Sequence, residues 1–185
     1  MSAQCASSNL TVSEPTRSRL WRQKDGLIYL SSVTSDGTTG KEWIERLEKK
    51  GFRVGKYAER ALRSADFRPT SGITTEIAVL PGWLFEDDDR ITSVIRVEAA
   101  KREFTEPNAE VTCLIREMLA DKEIEAMGLW QIVVMHEPIK DLGYPYLLCA
   151  NRFHIGRYLH ACCVGLYDEW GPGRGFAFAV SQSQH

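Results

Sequence analysis

The sequence predicts an α+β fold in which a mixed or mostly antiparallel sheet carries helices on one side. Three observations predict it. Apolar residues recur at helical spacing through much of the stretch 41–127. Leu129 to Met135 is a near-continuous apolar run, as expected of a strand buried on both faces. After residue 146, short β-branched and aromatic runs alternate with turn residues, which reads as hairpins. Helices and strands so segregated indicate α+β packing, with a helix-rich N-terminal half and a β-hairpin C-terminal third.

Residues 1–22 are polar, rich in Ser and Thr, and read as a disordered tail before a single domain over 23–185. Leu27-Ile28-Tyr29-Leu30 predicts a short strand. Ser35-Asp36-Gly37-Thr38-Thr39-Gly40 is turn chemistry whose side-chain oxygens suit a helix N-cap. A helix over 41–50 places Trp43, Ile44 and Leu47 on one face and stops at Gly51. A second, over 56–64, carries Tyr57, Ala58, Ala61 and Leu62. Ile73 to Leu80 is β-branched and ends at Pro81-Gly82, so it reads as a strand. Glu86-Asp87-Asp88-Asp89 marks the start of a helix running to about Phe104, because carboxylates favour a helix N-terminus. Val111, Leu114, Ile115, Met118 and Leu119 define the clearest helix. Asp121 opens a further turn that Gly128 closes. Tyr146–Ala150 and Tyr158–Cys163 flank a turn at His154-Ile155-Gly156, and Phe176–Val180 is a last strand.

A chain of 185 residues with 43% hydrophobic content is long enough to form a core without disulfides or metal. Its 23 basic and 25 acidic residues balance to a net charge of −2, unlike a generic nucleic-acid or membrane coat. The five cysteines, Cys5, Cys113, Cys149, Cys162 and Cys163, are odd in number and include no CxxC pair. Reduced thiols in a cytoplasm fit that pattern better than a secreted framework. No signal-peptide apolar stretch opens the chain and no run approaches a membrane helix in length. Charge is uneven. Residues 41–68 hold nine basic and five acidic side chains, net +4, whereas 76–128 hold six and thirteen, net −7. Regions of opposite sign suit mutual packing or different partners.

Several stretches are candidates for chemistry. Gly37-Thr38-Thr39-Gly40-Lys41 opens a helix, a setting suited to phosphate. A P-loop needs four residues between its glycines and Ser or Thr after the lysine. Here there are two residues and then Glu42, so a turn and cap is the preferred reading. His136-Glu137-Pro138 ends the most buried strand. A His beside a Glu at a strand end suits acid–base catalysis, although neighbours on a strand point to opposite faces. His154, His160, Cys162 and Cys163 are ligand types, yet they lack a second close pair, so neither a metal nor a cofactor is expected. A thiol nucleophile assisted by His136 or His160 has no local motif behind it. Lys56, Arg60 and Arg63 fall at i, i+4 and i+7 and form one basic helical face that nucleic acid would accept, diluted by Glu42, Glu45, Glu48 and Glu59. Trp83, Trp130 and Trp170 sit near turns or strand starts, where core packing is the default.

Taken together, Thr34 to Ile44, Pro107-Asn108-Ala109-Glu110-Val111, Met127 to Trp130, Met135 to Ile139 and Gly175-Phe176-Ala177-Phe178 resemble an uncharacterised family of small bacterial proteins. The resemblance spans roughly residues 34–182. It implies a bacterial, cytoplasmic, stand-alone protein and brings no activity or ligand with it. Leu142 to Tyr146 departs from the family's more acidic, glycine-containing loop. The expected function is non-enzymatic binding or regulation of another macromolecule, protein or nucleic acid. The alternatives are a small hydrolase using His136 and Glu137, and nucleic-acid binding through the helix pair 41–64.

Overall fold

The computed structural model describes residues 20–165 and 167–181. Ten strands form one mixed sheet around the apolar run. They are β1 (Trp21–Lys24), β2 (Leu27–Asp36), β3 (Arg53–Val54), β4 (Ser71–Pro81), β5 (Phe104–Thr105), β6 (Gln131–Val134), β7 (Ile139–Asp141), β8 (Tyr144–Phe153), β9 (Gly156–Cys163) and β10 (Arg174–Val180). The order across the sheet is β1-β2-β4-β10-β6-β8-β9-β3, with β5 paired to β10 and β7 to β8. The β6–β10 and β3–β9 pairs are parallel and the others antiparallel. The described residues also form five α-helices: α1 (Gly40–Lys49), α2 (Lys56–Arg63), α3 (Thr92–Lys101), α4 (Val111–Met118) and α5 (Asp121–Ala126).

All four residues of β6 are buried, as its composition demands. Ile132 and Val134 join the core under α4 and α5, while Val133 and Met135 join Ile95 and Ala99 of α3 on the other face. Helices therefore cover both faces, not one as expected. A central strand apolar on both sides leaves no face that water can solvate.

The N-terminal half is also richer in strand than the sequence suggests. The polar end of β2 reads as a turn, but Thr34 and Asp36 pair with Thr74 and Ser71 of β4. Thr34 Oγ1 lies 2.9 Å from Thr74 Oγ1, so side-chain hydrogen bonding replaces apolar alternation there. Order begins before residue 23, because Trp21 and Arg22 pair with β2 and the Trp21 indole donates to Glu123 at 3.2 Å. The rest of the expected disordered tail, residues 1–19, lies outside the described residues. The acidic run 86–89 starts no α-helix. Arg90, only 6% exposed, donates to the carbonyls of Gly82 (2.9 Å), Phe85 (3.0 Å) and Trp170 (3.3 Å). It holds this stretch as 3-10 turns until Thr92. The final strand is no hairpin arm either. β10 crosses back to the centre, between β4 and β6.

The two oppositely charged regions meet at α1 and α4. Arg46 Nε donates to Glu117 Oε1 at 2.7 Å and Lys50 Nζ reaches the same oxygen at 2.5 Å. At the start of α1, the Thr39 N–H donates to Glu42 Oε2 at 2.8 Å and the Thr39 hydroxyl accepts from the Glu42 N–H at 3.4 Å. This capping box puts a carboxylate where a phosphate would otherwise sit. Gly40 follows it, where a Cβ would stand 1.8 Å from the Leu62 carbonyl oxygen, so only glycine lets α1 begin this close to α2. We expect Thr39→Ala to lower stability by about 1 kcal/mol. Urea unfolding reads this as a lower midpoint at unchanged slope. An unmoved midpoint would show that the box contributes nothing.

Candidate functional site

His136 and Glu137 part company at the end of β6. The ladder between β6 and β8 runs to Val133–Cys149, and β7 resumes pairing at Ile139–Tyr146. His136 fills the interval. It is 1% exposed. Its Nε2 accepts from the Leu148 N–H at 2.9 Å, and its Nδ1 lies 2.6 Å from the Glu137 carbonyl oxygen. That arrangement assigns the proton to Nδ1. Burial, with the Arg96 charge acting in the same direction, depresses the imidazole pKa from 6.5 to about 4, against the Glu137 hydrogen bond. The ring is thus neutral at physiological pH, with both nitrogens held by backbone. It substitutes for missing ladder bonds, and proton transfer would require breaking one of these contacts.

Glu137 is exposed and lines two cavities. One, of about 460 Å³, is bounded by Asp66, Arg68, Glu137, Pro138, Ile139 and Lys140. The second, of about 310 Å³, adds Glu106, Pro107, Asn108 and His136. Asn108 fixes the wall by donating to the Arg68 carbonyl at 2.9 Å. Arg96 fixes the floor through the carbonyls of Met135 and His136, at 3.3 and 3.0 Å. Two cations face three carboxylates, so the groove has no dominant sign of charge.

The basic face of α2 is largely neutralised. Arg60 Nη2 lies 2.8 Å from Asp141 Oδ2 of β7, and Arg63 Nη2 lies 3.0 Å from Glu59 Oε1. Between α1 and α2, β3 pairs with β9, which fastens α2 to the sheet rather than presenting it as a free reading helix.

The His and Cys group splits by strand face. His154 is exposed in its turn and Cys163 is exposed on the face that carries α1 and α2, while His160 and Cys162 share the opposite face of β9. Among the described residues no three or more His, Cys, Asp or Glu side chains converge on a metal position. His136, bonded to Leu148, and His160, opposite Cys149, lie at nearly the same level on opposite sides of β8.

One surface escapes sequence reasoning. Tyr57 of α2 stacks on Tyr146 of β8 with centroids 5.4 Å apart. Tyr144 stands on the same strand face two residues earlier, opposite Asp141. Tyr57 is 46% exposed, Tyr144 61% and Leu142, at the β7–β8 turn, 79%. The patch adjoins the 460 Å³ groove through β7. The alternation Tyr144-Pro145-Tyr146 hints at it, but only the β7–β8 register sets those rings beside α2.

Compared with known proteins, the chain matches no family model, no curated protein and no solved structure. Among the described residues no helix is long and apolar enough to cross a membrane.

Proposed function

We propose that this is a non-enzymatic binding protein that docks another protein along the α2–β7 corner. The supporting observation is the exposed Tyr57–Leu142–Tyr144 patch beside a groove of mixed charge. Tyrosines present large, rigid, amphipathic area, and interface cores favour aromatics while being depleted in charge. Pairing of Arg60 and Arg63 within the chain favours protein over nucleic acid as the partner. The setting we propose is a bacterial cytoplasm; the free thiols at Cys113, Cys149, Cys162 and Cys163 support a reducing compartment.

The test is site-specific photocrosslinking in cells. A photoreactive phenylalanine analogue at position 57 or 144 is expected to trap the same discrete protein, and one at exposed Val97 on the opposite face is not. Identical adducts from all three positions, or none from 57 and 144, would refute the docking surface. The shared location of Glu137 in both cavities favours a second reading, a small hydrolase at that corner. Turnover of an ester or phosphoester panel that disappears in Glu137→Gln would establish it in place of the first.

A further inference from the structure

A second centre lies on the sheet face opposite α1 and α2, at β8 and β9. Cys162 Sγ is 3.2 Å from Cys149 Sγ and 3.4 Å from Gln131 Nε2. Gln131 and Asn151 are each 1% exposed and hydrogen-bond to one another at 3.0 Å, yet Gln131 Oε1 and Asn151 Nδ2 have no partner among the described residues. Exchanging oxygen and nitrogen on both amides leaves two orphans as before. Beside them the Arg174 guanidinium is sandwiched between Trp130 and Trp170, 4.9 and 5.1 Å from their ring centroids. Cys162 and Arg174 open onto a depression of about 340 Å³ that Cys163, Asp168, Glu169 and Trp170 complete. A thiol pair, a cation and unpartnered buried amides around an accessible hollow exceed what core packing requires.

We propose that Cys162 is a peroxide-reactive thiol and Cys149 its resolving partner, the substrate being hydrogen peroxide or a small organic hydroperoxide. The Cys162 thiolate attacks the distal oxygen, the O–O bond breaks, and Cys162 becomes a sulfenic acid. The leaving alkoxide or hydroxide takes a proton and departs as alcohol or water. Cys149 sulfur then attacks Cys162 Sγ. The S–S bond forms, the S–O bond breaks, and the departing hydroxide leaves as water with the Cys149 proton. The two electrons lost by the thiols reduce the peroxide. The asymmetry fits these roles. The hydrogen bond from Cys149 leads in lowering the Cys162 pKa from 9.0 to about 7, with Gln131 and the Arg174 charge adding to it against burial. Burial leads in raising that of Cys149. Cys149 sits opposite His160, and Cys162 opposite Leu147. The two cysteines therefore meet on a diagonal, where a disulfide closes only with local adjustment and is readily reduced again.

Reduced full-length protein is exposed to one equivalent of hydrogen peroxide, alkylated in denaturant and mapped by peptide mass spectrometry. A Cys149–Cys162 cross-link reversed by dithiothreitol is expected in the wild type. Cys162 should be consumed roughly tenfold faster than exposed Cys163. In Cys149→Ser, dimedone is expected to label Cys162. A Cys162–Cys163 link, or Cys163 reacting first with Cys149 left free, would overturn the proposal. The wild-type result stands whether or not the variant folds.

Discussion

His136→Ala is expected to lower stability by about 3 kcal/mol at pH 7, and the deficit is expected to shrink as pH falls. The substitution leaves the buried Leu148 N–H and the Glu137 carbonyl without partners. It also opens a cavity where β6 leaves β8. Each unsatisfied buried group costs about 1–3 kcal/mol. The pH dependence follows from linkage. The folded-state pKa is depressed to about 4 from 6.5, so between those values the unfolded chain binds more protons than the folded one. Stability is then fully present above pH 6.5 and falls progressively as pH drops through the folded value near 4. A shift of that size corresponds to about 3 kcal/mol. The alanine variant has no such group to protonate, so the wild type loses its advantage in acid. Urea titrations at pH 7, 5.5 and 4 measure this directly. A gap of constant size would show that His136 is not held neutral. Glu137→Gln, at an exposed site, should leave all three midpoints in place, which makes it the cleaner probe of chemistry at this corner.

Arg116→Ala is expected to cost about 4 kcal/mol, comparable with breaking a buried ion pair. The side chain is fully buried. It donates to the carbonyls of Asn151 (2.9 Å) and Leu119 (2.6 Å) and to Asp121 Oδ1 (2.9 Å), and its guanidinium lies 5.2 Å from the Phe52 ring centroid. Alanine would orphan two carbonyls and leave a void between α4, β8 and α5. Arg116→Met fills most of the void and should lose about half as much, since only the polar groups go unpaired. Guanidinium chloride unfolding separates the two. Equal midpoints for wild type and Arg116→Ala would show that the cation contributes nothing to this junction.

Local features were readable from composition. Trp43, Ile44 and Leu47 announced α1, the run after Leu129 announced β6, and Gly128 announced the end of α5, where its φ is 77°. What stayed hidden depends on register between distant segments. That His136 is a ladder substitute follows from where β6 departs from β8, which no spacing within 129–138 encodes. Cys149 and Cys162 meet because the β8–β9 hairpin offsets them by two positions. Arg174 finds its two indoles only after β10 returns beside β6. The acidic run 86–89 misled because Arg90, anchored on the carbonyls of Gly82, Phe85 and Trp170, holds the segment in 3-10 turns. Tertiary hydrogen bonding there outweighed a terminal charge preference.

The position of β10 governs the order in which the molecule is assembled. With Arg174–Val180 removed, β1-β2-β4 and β6-β8-β9-β3 share no ladder, so during synthesis the two half-sheets wait as separate, partly apolar slabs until that segment has emerged. The closing event joins residues about a hundred positions apart, from β4 to β10, and such distant contacts slow a folding reaction. The interval leaves unpaired edges open to other chains. Nascent chains stalled before residue 174 should therefore recruit chaperones, whereas those stalled beyond residue 180 and clear of the exit tunnel should not.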